Sequence, residues 1–300
     1  MDTLKSKYGK YFAEMTKHSH AAAKIDETCV FQEANWETRK YMDILLKDNV
    51  LPGSGLGNVE NFKAFYDAVT KEGKTGLILM EHYTNLDLPG ILYLLEKQGE
   101  PWAKDLAGRI VAIAGMKLNE ADPGVRAFTE SFTRVVVYPS RSLNAVENKD
   151  ISEEEKLEEE KRAKKINFAA MRAMDGCKRR GQVIAVFPSG TRYRPGKPET
   201  KKGLREMDSY LRLFDIMILV SINGNCLRIN PESPDDMLSD IVVPDTITMT
   251  ASQIIECKKF RNEVLATLPE DCPDPKVETV AAVMKIMEGL HYQAELKLGK

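Results

Sequence analysis

Five short apolar runs, at residues 76–80, 109–114, 134–138, 182–187 and 217–222, alternate with longer amphipathic stretches through most of this chain. Runs that stay apolar residue after residue, instead of at every second position, predict strands buried on both faces. The helical periodicity between most of them supplies the crossovers that parallel strands require. The expected fold is therefore α/β: a mixed, largely parallel sheet flanked by helices. Sheets of this kind bind ligands beyond the carboxyl ends of their strands.

The first fifty residues read differently. From about residue 4 to 48 apolar side chains recur at three and four (Tyr8, Tyr11, Phe12 and Met15, then Trp36, Tyr41, Leu45 and Leu46), which predicts two or three helices. The segment NVLPGSGLGN, residues 49–58, holds three of the nineteen glycines and one proline and reads as a linker. The division expected is a small N-terminal helical domain, 1–50, and an α/β domain, 51–300. Further on, Ser152 and Glu155 form a capping-box signature. It opens a helix that turns from acidic to basic and stops at Gly181. Its charge runs, KRAKK included, read as a solvated face. The C-terminal PKVETVAAVMKIMEGLHYQAELKLG reads as an amphipathic helix whose methionines pack.

With 43 basic against 45 acidic side chains, the molecule has no overall field to attract nucleic acid, so any anion recognition must be local. Five scattered cysteines at no metal or redox spacing fit a reduced, cytosolic compartment. No segment resembles a signal peptide or a spanning helix. A soluble cytoplasmic protein is expected, with peripheral contact to a membrane surface left open. No cofactor and no metal site are implied. His18 and His20 would diverge by about 200° on a helix, and His291 stands alone as a weaker candidate.

The chemistry concentrates in three blocks. EHYTNLD, residues 81–87, lies between an apolar strand and a helix-like stretch. Positions five apart on one helix diverge by about 140°, so a helix must start between His82 and Asp87 if the two are to meet. Asp87 suits its N-cap, leaving His82 on the loop as a general base whose orientation the carboxylate fixes. The plainer alternative is a helix cap beside a satisfied loop histidine. The second block, PSGTRYRPGKPETKKGLR, follows the run QVIAVF. Its residues 192–205 carry Arg192, Arg194, Lys197, Lys201, Lys202 and Arg205 against Glu199 alone, a composition suited to a phosphate monoester or to an ordinary exposed loop. The third is TRVVVYPSRS, with Arg141 just past a strand.

Together the blocks resemble the glycerolipid acyltransferase family, and within it the soluble, chloroplast-type glycerol-3-phosphate acyltransferases. The likeness rests on the N-terminal helical region, HYTNLD, the run AGMKLNEADP from Ala114 to Pro123, and PSGTRYRP from Pro188 to Pro195, in matching order from about residue 76 to 225. It implies His82 as the base that takes the acceptor's hydroxyl proton, Asp87 as the group holding its tautomer, and Arg192, Arg194 and Arg141 as a phosphate clamp. It further implies glycerol-3-phosphate as acceptor, an acyl-ACP or acyl-CoA thioester as donor, direct transfer without a covalent acyl-enzyme, and the first step of phospholipid synthesis. A plant-type source would place such an enzyme in the plastid stroma. Oxyanion donors are expected near SGT or the helix start at Leu88.

Glu81 departs from the family pattern, bearing on His82 or facing solvent. Arg141 is a single cation where the family tends to have more, with Lys117 or Lys201 able to compensate. Three other readings remain at this stage. A lysophosphatidate acyltransferase would share the blocks. A thioesterase would use Ser189, although Phe187 stands where the nucleophile elbow needs glycine. A non-catalytic phosphate-binding module would need only the arginines.

Overall fold

The computed structural model describes residues 1–120, 122–147 and 152–299. Its strands are β1 (Phe31–Gln32), β2 (Gly55–Gly57), β3 (Gly76–Met80), β4 (Ile110–Gly115), β5 (Arg134–Val137), β6 (Val183–Val186), β7 (Ile216–Asn223), β8 (Leu227–Arg228), β9 (Ile241–Val242), β10 (Thr248–Ala251) and β11 (Ile255–Glu256). Nine of them form one sheet in the order β1-β5-β4-β6-β3-β7-β10-β2, with β11 also paired to β7, while β8 and β9 form a separate ribbon. The five central strands, β5, β4, β6, β3 and β7, are mutually parallel and are the five apolar runs of the sequence. Antiparallel pairing of β1, β10 and β11 to their neighbours makes the sheet mixed.

The helices are α1 (Leu4–His18), α2 (Trp36–Asn49), α3 (Val59–Lys71), α4 (Asp87–Lys97), α5 (Pro101–Arg109), α6 (Lys117–Glu120), α7 (Pro123–Thr129), α8 (Ser140–Glu147), α9 (Glu153–Arg179), α10 (Met207–Leu213), α11 (Cys257–Thr267) and α12 (Pro275–Leu298). Alternation along the strands divides the core into two layers. Ile78 and Met80 of β3 pack with Leu45 of α2, Phe62 and Phe65 of α3 and Ile91 of α4. Leu77 and Leu79 face the other way, onto Met174 of α9, Leu211 of α10, and Val280 and Val283 of α12. In either layer each fully buried aliphatic side chain contributes about 1.5–3 kcal/mol.

Two helices, not three, precede residue 50. Thr3 caps α1 through a reciprocal capping box with Ser6, and its buried stripe Leu4, Tyr8, Phe12 and Met15 joins the same apolar layer as α2 and β3. Phe12 stacks on Phe128 of α7 with ring centroids 5.9 Å apart. The glycine-rich segment after α2 is not wholly loop, because its last third is β2, paired in parallel with β10 at the sheet edge. Glycine is needed there at 57, where a Cβ would lie 2.3 Å from Thr250 Oγ1. Among the described residues no helix is long and apolar enough to cross a membrane.

Candidate active site

β3 ends at Met80 and α4 begins at Asp87, so the chain reverses within six residues at the carboxyl edge of the sheet. Asp87 is the first helical residue, one position later than the N-cap expected from sequence; Leu86 holds that place and caps nothing with its side chain. The carboxylate turns back into the loop. Its Oδ2 accepts the N–H groups of Tyr83 (2.6 Å) and Thr84 (2.8 Å), and Oδ1 accepts the Thr84 hydroxyl at 3.0 Å. The third partner of Oδ2 is Nδ1 of His82, 3.0 Å away. Two backbone N–H groups already donate to Oδ2, which makes it an acceptor in its contact with Nδ1 as well; in the neutral imidazole that tautomer leaves the lone pair on Nε2.

The ring of His82 is fixed from a second direction. It lies on Phe187, with centroids 3.8 Å apart and planes 10° from parallel. Phe187 follows β6, the parallel neighbour of β3, so the stack joins two adjacent strand ends. Backbone reinforces it, because the N–H of Tyr193 donates to the carbonyl of His82 at 2.7 Å. The two loops, far apart in sequence, are thereby clipped together.

His82 opens onto a cleft of about 470 Å³. One wall comes from α12, with Val277, Ala281, Met284 and Met287 beside the charged Lys285 and Glu288; the other is the loop after β6, with Ser189, Tyr193, Lys201 and Lys202. Lys201 Nζ sits 4.5 Å from the centre of the Tyr193 ring. Ser189 turns its hydroxyl to the carbonyl of Thr191 at 2.7 Å, and its loop is held in a left-handed turn by Gly190, φ +62°.

Arg192 and Arg194 flank Tyr193, so both arise at the strand edge that carries His82, but neither side chain lines the cleft. Arg192 is buried and forms an ion pair with Asp240, to which Asn85 of the histidine loop also donates at 3.2 Å. Burial pushes the Asp240 carboxyl above the usual range, against the opposing pull of Arg192. Arg194 reaches the exposed Asp235 at 2.9 Å. Arg141 is exposed in the first turn of α8. It lies past β5, three strands or about 14 Å across the sheet from β3.

Several expectations need correction. Glu81 neither faces solvent nor turns to His82. Its carboxylate accepts the N–H of Ile222 (2.8 Å) and the Tyr83 hydroxyl (3.1 Å), and it pairs with His291 Nδ1 at 2.7 Å. The hydrogen bond that His291 makes to Glu81 raises its pKa, and the same ring also approaches Glu295. The helix-start amides are partly spoken for, since Tyr83, Thr84, Leu86 and Asp87 all donate locally. His18 and His20 do not share a helix, because α1 ends at His18. Sequence reasoning passed over Phe187 as a stacking partner, Tyr193 as a clip, Asp240 as an anchor and α12 as a cleft wall. For Asp240 no local signal existed. For Phe187, an aromatic residue at the end of a buried strand was the available clue.

A largely parallel sheet with a carboxylate-backed imidazole at its carboxyl edge, open to a cleft lined by both apolar and charged side chains, defines an α/β protein with room there for a ligand of both characters. The Acyltransferase family matches residues 57–219, more than half of the chain, and the chain belongs to that family. It is thus a transferase of lipid metabolism that moves an acyl group from a donor to an acceptor. The matched span runs from β2 into β7 and contains the histidine and arginine loops but not α12. Comparison with curated proteins gives no match.

Proposed function

We propose that the chain acylates glycerol-3-phosphate from an acyl-ACP or acyl-CoA thioester, with His82 as general base and Asp87 as its orienter. The observation that carries this reading is the 3.0 Å contact between His82 Nδ1 and Asp87, which leaves Nε2 as the basic nitrogen beside the cleft. Nε2 takes the proton of the acceptor hydroxyl as its oxygen bonds the thioester carbonyl carbon. The C–S bond then breaks, and the thiolate leaves with a proton returned from the imidazolium. The Ser189 hydroxyl donates to the carbonyl of Thr191, which favours this direct route over an acyl-serine.

The acceptor's phosphate is assigned to the arginine loop. Each guanidinium has five N–H donors, and Arg192 and Arg194 each give one to an aspartate, so phosphate can add to or displace those carboxylates. Arg141 would join only by reaching across the sheet edge. The apolar side chains of the α12 wall, Val277, Ala281, Met284 and Met287, suit an acyl chain.

A transfer assay with radiolabelled glycerol-3-phosphate and its 1-acyl form, each against acyl-ACP and acyl-CoA, tests the reading. Turnover of glycerol-3-phosphate well above that of the 1-acyl acceptor is expected. The reverse preference would make the chain a lysophosphatidate acyltransferase. Hydrolysis without transfer would make it a thioesterase.

A further inference from the structure

The long helix α9 carries apolar side chains on two opposite sides. Ala163, Ile166, Ala170, Met174 and Cys177 are buried against the sheet and neighbouring elements. At 100° per residue the diametrically opposite face is centred on Phe168. Phe168 and Met171 on that face are 61% and 51% exposed. Exposed apolar residues occur elsewhere on the surface, as at Trp36 and Tyr292, so the significance of this pair lies in the charges around it.

Lys161, Lys164, Lys165 and Arg172 are exposed and fall on the same face at spacings of three and four. From residue 161 to 179 the helix has seven basic side chains against Asp175 alone, whereas the six glutamates of the helix all lie between 153 and 160. The pairs Lys164–Glu160 (3.4 Å) and Lys165–Glu27 (4.0 Å) are exposed and hold the lysines only weakly. An apolar centre ringed by cations is the pattern of a helix lying in the interface of an anionic bilayer. Position agrees with this. Asn167, next to Phe168, exchanges two hydrogen bonds with the backbone of Tyr138, just past the carboxyl end of β5. The patch is therefore level with the sheet edge that carries His82.

We propose that the Lys161–Arg172 face of α9 docks on anionic lipid membranes, with Phe168 and Met171 inserted between headgroups. The test is co-sedimentation of the full chain with phosphatidylcholine vesicles with and without phosphatidylglycerol. Binding is expected only with phosphatidylglycerol and should weaken as salt rises. Lys161→Gln, Lys164→Gln and Lys165→Gln should each weaken it about fivefold, and the Phe168→Ala/Met171→Ala double variant about tenfold. Unchanged melting temperatures would confirm that these exposed substitutions leave the fold intact. The proposal is overturned by absent binding, by equal binding to both vesicle types, or by indifference to the double variant. Concentration-dependent self-association abolished by Phe168→Glu would instead make the patch a contact between copies of the chain.

Discussion

The imidazole of His82 lies flat on the ring of Phe187, 3.8 Å between centroids, so the proposed base is held on one side by a carboxylate and across its face by an aromatic ring. Phe187→Leu should keep the chain folded while letting the imidazole rotate. Because a misplacement of about 1 Å can cost a hundredfold in rate, a fall of tenfold or more in kcat, with little change in KM for either substrate, is expected from steady-state kinetics.

Asp87→Asn exchanges an acceptor-only group for one that also donates, where four donors already converge. The amide cannot accept from all of them, and Nδ1 loses the partner that sets its tautomer. Stability should fall by about 1–3 kcal/mol and kcat by about a hundred- to ten-thousandfold. Chemical denaturation and initial rates on the same preparation separate the two effects.

Arg192 has a structural task as well as its proposed ligand. Removing it by Arg192→Met leaves the Asp240 carboxylate buried and unpaired, at a cost of about 3–5 kcal/mol. The deficit should shrink as pH falls, because burial already raises the pKa of Asp240 and protonation removes the stranded charge. The double variant Arg192→Met/Asp240→Asn should recover most of the stability without recovering affinity for glycerol-3-phosphate. Melting temperatures and KM for the acceptor decide this.

His291 ties the end of α12 to the strand edge through Glu81, and approaches Glu295 on its own helix. Its folded pKa is raised, so its contribution to stability is fully present below the unfolded value of about 6.5. That contribution is lost as pH rises through the raised folded value. The wild-type melting temperature should therefore decline across that window, and His291→Gln should flatten the decline. Thermal melts from pH about 6 to about 9 measure it.

How much of this could be read beforehand depended on whether a signal was local. β3 was legible to the residue, because a central parallel strand is apolar throughout and ends where the apolar run ends. β1, β2, β10 and β11 were not, since two to four residues form a strand only when a partner from far along the chain is in register. Trp36 shows the limit of periodicity, because it fits the helical pattern yet lies 70% exposed at the start of α2. The contact between His82 and Asp87 was legible because both ends sit in one short turn. The Arg192–Asp240 pair spans 48 residues, and no spacing rule connects its ends. Phe168 was hidden for another reason: its run of charges disguised an apolar centre that only the exposed face reveals.

The most direct test of the mechanism is single-turnover acyl transfer to radiolabelled glycerol-3-phosphate by His82→Gln, paired with equilibrium binding of the same acceptor. Loss of at least about a hundredfold in the transfer rate with acceptor binding intact is the predicted result. A variant that transfers at the wild-type rate would contradict it.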